Sequence, residues 1–239
     1  MVSLRSSLAQ VVTRRAAAFS LLLFLALMAV TLPLKAGEFP QLDAWLGSQE
    51  KIQTWSADFV QTRSFKALTQ PLMATGQVWF TAPQRFRWEL GRPAQTLAIR
   101  RTNEMMVIYP RLKRAEVYPL GGVERSPWQD TLALLEAGFP RSAADVESRF
   151  RVLTVTNSGA DCHLVMQPKS SSARRWVSEI EIVFSTNSLA LLATSLAFPD
   201  GSRLRNDFTN AVVNAPVDEA LLNPVLGPEY KVVEPLKKP

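Results

Sequence analysis

The sequence predicts an α+β fold, an open (incomplete) antiparallel β-barrel: a curved sheet of about ten or eleven strands with helices lidding its concave face. Three observations predict it. Short stretches with period-two alternation recur at hairpin spacing along most of the chain. Turn residues separate them, as in Asn157-Ser158-Gly159 and Pro199-Asp200-Gly201-Ser202. One well-capped amphipathic helix interrupts them at Ser126.

A first helix is predicted over residues 41–53, where Leu42, Trp45, Leu46 and Ile52 recur at three-to-four spacing and Asp43 and Glu50 fall outside the stripe. A strand follows over residues 57–62. Residues 76–90 then read as two strands around a turn at Pro83. After that turn Phe86, Trp88 and Leu90 point one way, while Arg87 and Glu89 point the other. Further strands are predicted at 96–100, 105–109 and 114–118. Ser126-Pro127-Trp128-Gln129 combines a capping serine, proline at the first helical position and a glutamine that closes a capping box. Gly138 ends that helix, and Trp128, Leu132 and Leu135 share one face of it. A helical turn over 142–148 leads to strands at 151–156 and 163–167. The strand at 177–185 carries Ile180, Ile182 and Phe184 opposite Glu179 and Glu181. An almost wholly apolar strand at 189–198 precedes the last, in which Arg203, Arg205 and Asp207 alternate with Leu204, Asn206 and Phe208.

Residues 1–36 carry Arg5, Arg14, Arg15 and Lys35, no acid, and an apolar run over 16–34 before Ala36. That order predicts a secretory signal cleaved after Ala36, with an uncleaved anchor as the alternative. The remaining 37–239 are expected to form one domain, large enough to bury roughly 70% of its unfolded surface. Of the 27 Lys and Arg residues, 27 minus 4 leaves 23 against 21 Asp and Glu, so the basicity largely departs with the signal. No nucleic-acid partner is expected from so balanced a charge. A single cysteine, Cys162, permits no internal disulfide. An exported, periplasmic, monomeric protein held together by its core is the expectation.

No catalytic residues, metal ligands or cofactor are predicted. The one histidine, His163, adjoins Cys162 on a strand, where neighbours face opposite ways, so the two form no nucleophile–base dyad. Gly-rich phosphate loops and His/Cys metal spacings are missing from the sequence, and an enzyme is not expected.

Several short motifs fall in a suggestive order: Trp55-Ser56-Ala57-Asp58-Phe59-Val60-Gln61, Gly76 through Pro83 to Glu89, Pro93, Tyr109-Pro110, Ser126-Pro127, Gln167-Pro168-Lys169, Asp200-Gly201 with Phe208, and Pro224 to Gly227 before Val232-Val233. In that order they resemble the periplasmic outer-membrane lipoprotein carrier family, the LolA-like proteins, with this chain a divergent relative. The resemblance implies a carrier that shields acyl chains of a lipoprotein or another lipid, loaded by an inner-membrane exporter and unloaded at an outer-membrane acceptor. A lipid or lipoprotein sensor domain of the same architecture is the other function it accommodates. It implies a lipid-binding sheet face made by Phe59, Phe86, Trp88, Leu90, Met106, Ile108, Ile180, Ile182, Phe184, Leu204 and Phe208. The lid over it would carry Trp45, Leu46, Trp128, Leu132 and Leu135. Many relatives have an arginine that meets the lid just before the proline at position 83. This chain has Ala82 there, with Arg85 and Arg87 as the nearby alternatives.

Overall fold

Turn chemistry sets most strand ends in this chain. The computed structural model describes residues 40–120, 140 and 142–235. The predicted signal and the predicted helix that begins at Ser126, with Trp128, Leu132 and Leu135, lie outside those residues. The described chain opens with helix α1 (Pro40–Gln49) and continues through β1 (Thr54–Ser64), β2 (Leu72–Thr81), β3 (Arg85–Leu90), β4 (Thr96–Arg100), β5 (Glu104–Tyr109) and β6 (Arg114–Pro119). Helix α2 (Ala143–Arg149) leads into β7 (Phe150–Ser158) and β8 (Asp161–Pro168). After the short α3 (Ser171–Arg174) come β9 (Glu179–Ser185), β10 (Leu191–Ala197), β11 (Arg203–Val213), the one-turn α4 (Glu219–Leu222) and β12 (Lys231–Val233).

All twelve strands among the described residues belong to one unclosed sheet, ordered β12-β6-β5-β4-β3-β2-β1-β11-β10-β9-β8-β7. Pairing is antiparallel except between β12 and β6, which run parallel. Eleven of these strands carry the alternation or apolar runs that the sequence shows. The twelfth, β12, is three residues long and displays no period of its own. The turns behave as their residues dictate: Gly159 (φ +62°) and Gly201 (φ +84°) occupy the left-handed region that glycine enters without steric cost. Ser142 caps α2, its hydroxyl accepting from the Asp145 N–H at 3.1 Å.

The sheet is strongly curved. Arg149, the residue before β7, is close enough for its charge to act on the buried Arg100 guanidinium of β4, although eight strand spacings of about 4.8 Å separate those strands along the sheet. The inner face carries one apolar cluster drawn from α1, α2 and nearly every strand. In β8 the burial alternates strictly, with Cys162, Leu164, Met166 and Pro168 buried between half-buried neighbours.

A second cluster lies on the outer face. Leu97, Ile99, Met106, Ile108 and Ala115 pack there against Leu226 and Tyr230 of the C-terminal segment. This corrects the assignment of Met106 and Ile108 to the inner face, which instead takes Met105 and Val107. The run Met105-Met106-Val107-Ile108 is apolar on both sides because both sides are covered, so period two does not tell inside from outside there.

Candidate lipid-facing sheet surface

The centre of the inner face is aromatic. Phe59 of β1 lies 4.3 Å from Trp88 of β3, ring centre to ring centre, tilted by 35°. Phe208 of β11 meets Trp88 edge-on at 6.3 Å and Trp55 edge-on at 5.2 Å. Two strands bracket the gap that Phe59 crosses, and Gly76 makes the crossing possible. Gly76 pairs directly with Phe59, and a Cβ there would stand 2.2 Å from both the Phe59 ring and the Glu89 carbonyl oxygen. Only a residue without a side chain allows the ring to lie across β2 and reach Trp88.

The other half of the face is aliphatic, built by Leu164, Met166, Ile180 and Ile182, all fully buried. Its cover is α1. Trp45 stacks on Phe184 with centroids 4.7 Å apart and planes 11° from parallel, and Leu42 and Leu46 are buried beside it. The Trp45 indole N–H makes no hydrogen bond among the described residues. The helix is shorter than residues 41–53, ending at Gln49, with Ile52 still packed on the cluster.

Polar groups interrupt this face at two places. Gln61 Nε2 donates to Asn206 Oδ1 at 3.0 Å, and Asn206 Nδ2 donates to Thr194 Oγ1 at 3.3 Å. Near β4–β6, Arg100 Nη2 donates to Gln84 Oε1 at 2.8 Å, and the Tyr118 hydroxyl donates to Glu116 at 2.7 Å. Burial, assisted by the like charge of Arg149, holds Arg100 below the usual guanidinium pKa. Burial likewise pushes up the Cys162 thiol, while His163, on the opposite face, places Nδ1 2.9 Å from Glu181 Oε1. Among the described residues no group of three or more His, Cys, Asp or Glu is placed to hold a metal ion.

A sequence-family model, outer membrane lipoprotein carrier protein LolA, matches residues 50–224. The chain belongs to this family. No curated protein matches the sequence significantly. Among solved structures, the chain is similar to an uncharacterised conserved protein from Thermus thermophilus, at 10% identity over 79% of this chain and 96% of that one, with a TM-score of 0.47. It is also similar to a LolA superfamily protein from Nitrosomonas europaea, at 7% identity over 79% and 97% with a TM-score of 0.39. A MucA/MucB complex from Pseudomonas aeruginosa matches at 16% identity over 80% and 62%, with a TM-score of 0.39.

Within this LolA family member, Phe59, Phe86, Trp88, Leu90, Ile180, Ile182, Phe184 and Phe208 share the inner-face cluster with Trp45 and Leu46. Met106 and Ile108 are on the outer face, and Leu204 is half-buried outside both clusters. The polar residues Gln61, Asn206, Arg100 and Glu116 were the ones sequence reasoning missed. Gln61 and Asn206 do carry a signal, since each interrupts an apolar period, after Trp55-Ala57-Phe59 and before Phe208 respectively. Arg85 and Arg87 do not stand in for an arginine at Ala82. Both face outward, where Arg85 makes a two-pronged pair with Glu219 (2.9 and 2.8 Å) and Arg87 donates to the Leu221 carbonyl at 2.8 Å. The Arg87–Glu89 side is thus roofed by α4 and is not a free wet face. The guanidinium near this turn on the inner side belongs to Arg100.

Proposed function

We propose that this protein is a periplasmic carrier that shields the acyl chains of a lipoprotein or other lipid in transit between the inner and outer membranes. It receives its load from an inner-membrane exporter and yields it to an outer-membrane acceptor, as a monomer exported by a signal cleaved after Ala36. The observation that supports this reading is the inner face itself: a largely apolar surface, aromatic around Phe59, Trp88 and Phe208, whose aliphatic half is covered among the described residues by the short helix α1 through Trp45. Exposing a chain of about sixteen carbons to water costs roughly 12 kcal/mol at about 0.8 kcal/mol per methylene, so transit requires such an enclosure. A helix held on the same surface keeps affinity finite, because lid and ligand compete for Phe184 and its neighbours.

Titration with a fluorescent fatty-acyl probe, followed by displacement with unlabelled fatty acid or lysophospholipid, tests the proposal. Saturable, displaceable binding is expected. Absence of any displaceable binding by the mature protein contradicts it.

A further inference from the structure

The hairpin between β1 and β2 outruns its neighbour. Pairing with β3 stops at Gly76 opposite Leu90, with one further contact from the Gly91 N–H to the Thr75 carbonyl, while β1 and β2 stay paired as far as Arg63 opposite Leu72. Residues 72–74 and the connecting residues 65–71 therefore project past the β3 side of the sheet. This projection is where a soluble fold ought to be polar, yet Leu68, Leu72 and Met73 are 49%, 56% and 67% exposed.

Their arrangement points to insertion and away from a flat protein contact. Leu72 shares the face of Arg63, Met73 the opposite face, and Leu68 belongs to the tip, so apolar groups surround the finger and do not form one patch. Cations accompany them. Residues 63–73 include Arg63 and Lys66 and no acid, and Arg63 lies over the Phe65 ring at 5.7 Å. Exposed Arg203 pairs with Ser64 beside the base of the hairpin. The β10–β11 turn runs alongside, with Gly201 against the Lys66 stem. Its Asp200 carboxylate is occupied by the Ser202 N–H at 2.9 Å and hydroxyl at 2.6 Å.

From this combination we infer that the β1–β2 hairpin is a membrane-docking finger: Leu68, Leu72 and Met73 enter the interface of an anionic phospholipid bilayer while Arg63, Lys66 and Arg203 lie at its headgroups. Long cationic stems suit that depth, since the methylenes follow the apolar groups inward and the charge stays in water. The inference is independent of what the inner face holds. It assigns the side of the molecule that meets a membrane.

Vesicle flotation of the mature protein tests it, using protein-free phosphatidylglycerol vesicles against phosphatidylcholine vesicles. Wild type is expected to float with the former, and added salt should weaken the association. Leu68→Ser with Met73→Ser should lower the partition coefficient at least about tenfold. Lys66→Glu should lower it roughly tenfold on phosphatidylglycerol and leave phosphatidylcholine unchanged. Circular dichroism checks the fold of each variant, and acyl-probe binding by the variants should stay at the wild-type level, which separates this site from the inner face. In a Leu68→Trp variant, brominated lipid should quench the added fluorescence. No flotation of wild type, equal flotation of the variants, or binding confined to protein-bearing native membranes would each overturn the inference, the last by assigning the finger to a protein partner.

Discussion

Trp45→Ala separates a displaceable cover from ordinary core. Trp45 has no solvent exposure and stacks on Phe184 at 4.7 Å, so its truncation carries the usual cost of deleting a buried tryptophan, about 3–5 kcal/mol. Part of that is returned, because removing an indole N–H without a partner among the described residues relieves a desolvation penalty of about 1–3 kcal/mol. The net loss is about 2 kcal/mol, a fall in melting temperature of roughly 4–8 °C for a domain of this size. If an acyl chain must displace α1 from Phe184, the same ~2 kcal/mol no longer opposes binding. Probe affinity should then rise by roughly thirtyfold while stability falls. Trp45→Phe, which keeps a stacked ring without the N–H, should stay near wild type in both. The assay is probe titration beside thermal melting. Binding that weakens in step with stability would refute the competition and make Trp45 plain core.

Gly76→Ala should destabilise by about 3 kcal/mol or more in urea unfolding, since its methyl would sit 2.2 Å from the Phe59 ring and the Glu89 carbonyl; unchanged stability would mean that Phe59 moves aside freely. Trp88→Glu puts a charge beside Phe59 and Phe208 at a half-buried position, and should abolish probe binding while the fold survives by circular dichroism. Uptake that persists would remove this face from consideration. Asp58 is held below its ordinary pKa of 3.8 chiefly by the Asn210 amide, with the Gln77 amide and Arg92 assisting. A depressed folded-state value stabilises fully above the unfolded pKa, and the contribution disappears as pH falls through the folded value. Asp58→Asn should therefore flatten the acid end of the melting-temperature profile, below about pH 4, and an identical profile would exclude Asp58 from acid unfolding.

What was legible in the sequence follows from where water is. Strands that alternate apolar with charged residues wrote their orientation plainly: Phe86, Trp88, Ile180, Ile182 and Phe184 all share the inner-face cluster, opposite Arg87, Glu89, Glu179 and Glu181. β5 did not, because the C-terminal segment covers its outer side and Met106 and Ile108 are as buried as Met105 and Val107. That segment gave little warning. It is held by specific pairs such as Arg85–Glu219 and by packing of Leu226 and Tyr230, neither of which leaves a period. Gly76 could be read as a strand glycine, but not as the gap through which Phe59 meets Trp88, a contact set by cross-strand register. The inner-face polar pair Gln61–Asn206 depends on partners 145 positions apart, beyond the reach of any local pattern.

The measurement closest to the central claim is native mass spectrometry of the mature protein recovered from the periplasm. A carrier should appear with an added mass matching an acylated lipid, lost on collisional activation and missing from Trp88→Glu. A spectrum with only the bare polypeptide mass, unchanged after incubation with lysophospholipid, would contradict the account.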